Sequence, residues 1–402
     1  MEQPITADDI SRDLIHFIAK SPSTFHAVRG IKAALLYAGF TEIREEDTWQ
    51  IEKGGKYVVT RNGSALMAFT VPKEGAEAFH ITASHCDSPT FKIKENPEIA
   101  DGPYVKLNVE GYGGMIMSTW LDWLDRPLSV AGRLLVTENG HLAEKLVAID
   151  GTMLVIPSVA IHMDRSVNQH KEWKVQKDML PLYGMTGAKT PFMDVIAAAA
   201  KVKAEDILAH DLILYSRVPA AIWGEEREFI SSPKLDDLQC AFACFRGFTQ
   251  GQKEKYISVY ALFDNEEVGS ATSQGAGSTF LANTLERLAR SLGYSYDETM
   301  AMIARSFMIS ADNAHSVHPN HPEYADPVNR PVINGGIVIK YSAAQKYATN
   351  AFSAAYFKKL CKDHDIPTQT FTNHSDNPGG STLGNISNTV IAMPTVDIGL
   401  PQ

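Results

Sequence analysis

Two adjacent carboxylates, Glu266 and Glu267, stand in the stretch Phe263-Asp264-Asn265-Glu266-Glu267-Val268-Gly269-Ser270, straight after the apolar run of residues 257–262. That run reads as a buried strand, and ligand sites in open α/β sheets collect at the carboxyl ends of strands. Neighbouring side chains leaving a strand end point to different sides, so one carboxylate can hold a metal while the other handles a proton. Taken alone, a Glu-Glu pair reads first as a solvated acidic turn. Residues elsewhere in the chain decide between the two.

Residues 78–84 form a second strand pattern that delivers His85-Cys86-Asp87-Ser88-Pro89 at its end, where Pro89 stops it. Asp87 is placed to fix the tautomer of the His85 ring, as partners of zinc-bound histidines do. Ser232-Pro233-Lys234-Leu235-Asp236-Asp237 leads into a helix, where Asp236 and Asp237 also read as capping residues. A further apolar segment, 306–309, ends in Ser310-Ala311-Asp312-Asn313-Ala314-His315. The histidines 315, 318 and 321 tempt towards a metal cluster, but Pro319 and Pro322 break the helix that would align them, which leaves Asp312 as the better ligand. Together His85, Asp236, Glu267 and Asp312 make a mixed imidazole and carboxylate set suited to zinc, manganese or cobalt rather than calcium. A pair of metals needs a bridging carboxylate, for which Asp236 serves, and Glu266 is then free to act as the base. The chemistry indicated is metal-assisted hydrolysis.

The elements that must position these residues are legible from periodicity. Thr6 and Asp9 cap an amphipathic helix carrying Ile10, Leu14, Phe17 and Ile18. A second helix starts near Ser23 and stops at Gly39. Short strands follow at 56–60 and 65–71. From about 91 to 224 the pattern changes to β-rich, glycine-containing segments, which read as an inserted domain. It holds the doubled Trp120-Leu121-Asp122 and Trp123-Leu124-Asp125, and also His162, which on spacing alone reads as a surface or interface residue. Helices are expected at 192–202, 281–292 and from Gln345 to about residue 361, and strands at 212–215, 335–340, 389–393 and 396–399. The turn Gly379-Gly380 is suited to offering backbone N–H groups to a substrate.

Bulk properties narrow the classes. Of 402 residues, 44% are hydrophobic and 21% charged, as in ordinary globular proteins. A net charge of -10 and the lack of a Lys/Arg cluster argue against nucleic acid. No run approaches the ~18 apolar residues of a membrane span, and residues 1–4 show no secretory pattern. Cys86, Cys240, Cys244 and Cys361 lack metal-site spacing and read as reduced thiols, so a cytoplasmic location is expected.

With these segments set out, the sequence resembles the aspartyl aminopeptidase family of two-zinc metallopeptidases. The resemblance rests on the four motifs above together with Tyr112-Gly113-Gly114 and Ile161-His162-Met163-Asp164-Arg165, in order along nearly the whole chain. It implies an α/β fold: a three-layer αβα zinc-peptidase catalytic domain in two pieces, 1–91 and 225–402, interrupted by a β-rich dimerisation domain at 92–224. It implies two divalent ions per subunit, zinc with manganese or cobalt as alternatives, held by His85, Asp236, Glu267 and Asp312. By the same resemblance Asp87 orients His85, Glu266 is the general acid/base, and Lys340, Tyr347, Gly379 and Gly380 contact substrate. The implied reaction removes N-terminal residues, Asp or Glu, from peptides, using water that bridges two zinc ions. The dimer is then the catalytic unit, with His162 reaching the partner's active site, and the dimers build a dodecamer.

Two departures bear on these expectations. The family's last zinc ligand is a histidine just beyond the position of Gln402, where this sequence stops. That opens the alternative of an inactive assembly subunit, beside that of a two-metal aminopeptidase with neutral preference. The doubled Trp-Leu-Asp adds three residues before Arg126-Pro127-Leu128 and is expected to disturb local register.

Overall fold

The computed structural model describes residues 5–114, 121–169, 171–187, 190–251, 255–377 and 379–402. Residues 1–4, Trp120 of the doubled motif and Pro378 of the glycine-rich turn lie outside them. Helices α1 (Ala7–Lys20) and α2 (Thr24–Tyr37) precede strands β1 (Thr41–Glu42), β2 (Lys56–Arg61), β3 (Ala65–Thr70) and β4 (Phe79–His85). Next come β5 (Thr90–Asp101), β6 (Tyr104–Tyr112), β7 (Leu128–Glu138), β8 (His141–Ala148), β9 (Leu182–Met185), helix α3 (Phe192–Ala200) and β10 (Ile207–Ser216). A short pair, β11 (Ala221–Trp223) and β12 (Phe229–Ser231), leads to α4 (Leu235–Gln250) and β13 (Ile257–Phe263). The remaining main elements are α5 (Phe280–Ser291), α6 (Tyr296–Arg305), β14 (Phe307–Ala311), β15 (Ile337–Tyr341), α7 (Ala351–Asp363), β16 (Thr368–Thr372), α8 (Leu383–Ser387) and β17 (Thr395–Gly399).

A nine-stranded sheet runs in the order β1-β2-β3-β13-β4-β14-β17-β15-β16. Its middle strands β13, β4, β14 and β17 are mutually parallel. The reason is visible in β13, whose side chains are buried on both faces. Ile257, Val259, Ala261 and Phe263 face one core with Phe280, Leu285 and Leu288 of α5. Tyr260 and Leu262 face the other, with Val28 and Ile31 of α2 and Leu238 of α4. Such a strand has no polar face and reads as a continuous apolar run. Helices thus cover both faces, giving the three-layer α/β arrangement.

The second sheet is antiparallel, ordered β8-β7-β10-β5-β6-β9, and packs one face against Phe192 and Ile196 of α3. The register of β7 is kept after the doubled Trp-Leu-Asp: Leu128 to Glu138 pair with β8 and β10 in sequence, with a shift at the far end, near Ile207. The expected disturbance does not reach the sheet, because the added residues are taken up ahead of β7, where Leu124 bridges Ile156.

Three local expectations change. Residues 389–393 form a turn rather than a strand, since Ile391 and Met393 are buried against the first core without a ladder partner. The helix expected from Gln345 opens at Ala351, capped by Asn350, whose side chain accepts from the Ser353 amide. Helix α6 was not expected, although Ser295 and Glu298 form a capping box at its start. All four cysteines are free and buried, and among the described residues no helix is long and apolar enough to cross a membrane.

Candidate metal centre and active-site cavity

Three neighbouring strands of the nine-stranded sheet end at one place. β4 ends on His85, β14 passes directly into Asp312, and β13 leads through Asp264 and Asn265 into a tight turn at Glu266–Val268. From the helix layer, Asp236 and Asp237 reach the same point on backbone that is not yet helical, joined by a cis peptide bond. The capping reading of these two aspartates is therefore set aside: their carboxylates face the strand ends.

His85 Nε2 lies 3.4 Å from Asp236 Oδ1 and 3.9 Å from both Asp237 Oδ2 and Asp312 Oδ1. One ligating atom from each of His85, Asp236, Asp237 and Asp312 falls within 4.8 Å of the others. Glu267 is outside that group, but it lines the same cavity as Asp236. His85 Nε2 and Asp237 Oδ1 are buried and make no hydrogen bond. Buried polar atoms are normally satisfied, so orphaned ones aimed at a carboxylate cluster mark a place for a cation. An imidazole with several carboxylates is the donor set for a zinc-like ion, so the residues present fit one.

The surrounding hydrogen bonds explain how the cluster is held. Asp87 receives the backbone N–H of Glu266 at 3.2 Å, that of Glu267 at 3.1 Å, and the Tyr112 hydroxyl at 2.7 Å. Its Oδ1 is 3.3 Å from His85 Nδ1, which also lies 3.2 Å from the Asp87 backbone carbonyl, so Asp87 links the ring to the Glu266–Glu267 turn. Asp237 Oδ2 accepts the His85 backbone N–H at 3.1 Å. Lys340 is buried, donates to the Asn313 carbonyl at 2.9 Å and pairs with Asp312 Oδ2 at 3.2 Å. Its ammonium lies 5.4 Å from the Tyr347 ring centroid. Asn373 donates to the Tyr347 hydroxyl at 3.4 Å and packs against Gly379, where a Cβ would come within 2.3 Å of it. Gly380 is exposed, and His162 is exposed on a turn away from the cavity of its own subunit.

Six carboxylates crowd around two cations, and their protonation follows. Burial pushes Glu266 up to about 7 and Glu267 up to about 9; His85 opposes this, and Asp87 and Asp236 add to it. Burial also raises Asp312, but Lys340 and His85 overcome it and hold that carboxyl down to about 2. For His85, burial disfavours the charged ring, yet Asp237 and its other carboxylate neighbours hold its pKa well above the ordinary value. Burial alone pulls Lys234 down to about 7. The arrangement offers a cation site, a carboxyl poised to exchange protons near neutrality, and an adjoining cavity of about 800 Å³ between the two sheets.

Asp237, Tyr112 and Lys234 were not singled out from sequence as site residues. Asp237 had a signal, since it doubles Asp236 at a helix start. Tyr112 and Lys234 stand in the motifs Tyr112-Gly113-Gly114 and Ser232-Pro233-Lys234-Leu235-Asp236, but neither motif assigns them a role.

The family model described as "Aminopeptidase I zinc metalloprotease (M18)" matches residues 17–402. The chain is 46% identical over 400 residues to a probable M18 family aminopeptidase 2 of Clostridium novyi, covering 97% of this chain and 92% of that relative. It is 35% identical over 446 residues to aspartyl aminopeptidase 4 of Saccharomyces cerevisiae, covering 100% of this chain and 90% of that one. The solved mApe1 dodecamer of S. cerevisiae superposes with a TM-score of 0.86 at 26% identity, over 98% of this chain and 90% of that one. A carboxylate-rich cation site at the ends of parallel strands, a family match spanning the site residues, and relatives named as aminopeptidases agree: the chain belongs to the M18 family of zinc aminopeptidases, which are hydrolases.

Proposed function

We propose that this aminopeptidase removes acidic residues, Asp or Glu, from the N-termini of peptides, working with two zinc ions per subunit. The observation that carries the reading is the orphaned Nε2 of His85 facing Asp236, Asp237 and Asp312 beside the raised carboxyl of Glu266. His85, Asp236 and Asp312, with Glu267 lining the same cavity, would hold the ions, and Asp236 would be shared between them. When bound, the ions supply Lewis acidity to the scissile carbonyl and make water a stronger nucleophile. Glu266 takes a proton from the attacking water as its oxygen bonds to the carbonyl carbon. It returns that proton to the amine nitrogen as the C–N bond breaks. Asp87 keeps His85 in one tautomer and fixes the Glu266 backbone, so the base does not drift from its target. Lys340, Tyr347, Gly379 and Gly380 would face the N-terminal residue, with Lys340 bearing on it through Asp312 and Tyr347.

Residues 92–224 are proposed as the dimerisation domain, inserted between catalytic pieces 1–91 and 225–402. The exposed position of His162, off the cavity of its own subunit, supports a role in which the partner subunit's His162 steadies the oxyanion. The likeness to a dodecameric relative supports a dimer as the catalytic unit within a larger homo-oligomer.

The test is hydrolysis of Asp-, Glu-, Leu- and Lys-arylamides by zinc-loaded protein. Cleavage confined to the acidic pair is expected. Equal or faster cleavage of the Leu substrate would replace the acidic preference with a neutral one, and no cleavage with zinc, manganese or cobalt would favour an assembly subunit.

A further inference from the structure

The cavity that adjoins the metal centre does not contain the groups assigned to the N-terminal residue. It shares Asp87, Asp236 and Glu267 with the centre and then runs between the two sheets towards Trp123 and Arg126, whereas Lys340, Tyr347, Gly379 and Gly380 do not line it. A peptide with its scissile carbonyl at the centre and its first residue on the Lys340 side therefore sends the rest of its chain into this cavity. Four cations line it: Lys92, Arg126, Arg133 and Lys234. Lys92 and Arg133 are both engaged with Asp211, at 2.9 Å each. Arg126 is exposed. Lys234 is half-buried and donates to the Ser21 carbonyl; among the described residues it has no carboxylate partner. An ammonium has three N–H groups, and one enclosed without a counter-ion is costly.

We propose that Lys234 binds a carboxylate on the leaving side of the peptide, one residue beyond the scissile bond; this rests on the aminopeptidase reading above. The chain geometry suits the task. Lys234 precedes Asp236 by two residues, so its Cα is at most about 7 Å from that of the ligand. The terminal carboxylate carbon of the residue after the scissile bond lies about 3–4 Å from the reacting carbon, and a side-chain carboxylate of that residue about 4–6 Å, distances that a lysine side chain rooted two residues from the ligand can span. The carboxylate has two sources, the terminal carboxylate of a dipeptide or the side chain of an acidic second residue.

Binding to zinc-loaded Glu266→Gln protein, measured by calorimetry, separates these. The probes are Asp-Ala, Asp-Ala amide and Asp-Glu amide. Asp-Ala is expected to bind about 10-fold or more tighter than its amide, the usual advantage of a hydrogen bond to a charged group. Tighter binding of Asp-Glu amide than of Asp-Ala amide would assign the contact to the side chain as well. Adding Lys234→Met should bring the Asp-Ala to amide ratio near one, and Lys234→Arg should restore part of it. Lys234→Gln serves if the methionine variant does not fold. Equal binding of all three peptides, or a ratio unchanged in the Lys234 variants, overturns the proposal. Failure of every peptide to bind while zinc is retained overturns the aminopeptidase reading and this inference with it.

Discussion

In the nine-stranded sheet the strands β13, β4 and β14 run side by side in one direction, and their carboxyl ends open on a single edge. In the six-stranded sheet neighbouring strands alternate in direction, so successive strand ends fall on opposite edges. Both sheets have well-packed cores, but only the first gathers chemically useful ends at one point. The second contributes from outside, through few contacts. Tyr112 of β6 donates to Asp87, Arg133 of β7 donates to the Asn62 carbonyl at 2.8 Å, and the same guanidinium lies 4.3 Å from the Phe25 ring centroid. The comparison teaches that direction, rather than core quality, decides where a site can be assembled.

The sharpest break in this comparison is at the strand-end turn. Glu266→Ala should lower kcat by about 10²- to 10⁴-fold while zinc stays bound, as read by steady-state kinetics beside metal analysis. Retained turnover would remove Glu266 from its role. Next in size are core truncations in the two sheets. Leu262→Ala in β13 and Leu134→Ala in β7 are each expected to cost about 2–5 kcal/mol in denaturant unfolding, because both side chains are fully buried. If direction is what matters, only Leu262→Ala should also weaken zinc affinity of the folded protein. A smaller effect is expected across the seam: Tyr112→Phe should weaken zinc binding about 10-fold, up to 100-fold, with the fold intact, in a competition titration against a chelator. Unchanged affinity would mean that the second sheet does not help hold Asp87.

The smallest effect concerns His26 of α2, which sits where α2 faces both sheets. Burial first, and then Arg29 and Lys234, lower its pKa from 6.5 to about 4. Between those values the unfolded chain binds a proton that the folded chain refuses, so stability falls as pH drops from about 6.5 to about 4 and levels off below. His26→Gln should flatten that part of the stability profile by about 1–2 kcal/mol, checked by urea unfolding at stepped pH. A profile of unchanged slope would place the acid sensitivity elsewhere.

Much of the placement was readable in the sequence where local pattern and final position coincide. The run 257–262 reads as a buried strand because both of its faces pack, and His85, Glu266 and Asp312 follow strands of the same kind. Asp237 was masked by its neighbour: at a helix start an aspartate has a sufficient local explanation. Tyr112 and Lys234 acquire their places from contacts between separate elements, to Asp87 and to the Ser21 carbonyl, and no periodicity encodes such pairs. The turn at 389–393 misled for the opposite reason, since apolar residues buried by a turn look like those buried by a strand.

Strand β17 is last in sequence among the strands yet lies inside the sheet, between β14 and β15. During synthesis, β14 and β15 must wait with open edges until residues 395–399 have left the ribosome. β14 carries Asp312 at its end, so one wall of the candidate metal centre stays unsupported until the stretch from residue 312 to residue 399 has been made. A nascent chain thus exposes a gap one strand wide to strand-adding partners until β17 fills it, and the candidate site is completed only then.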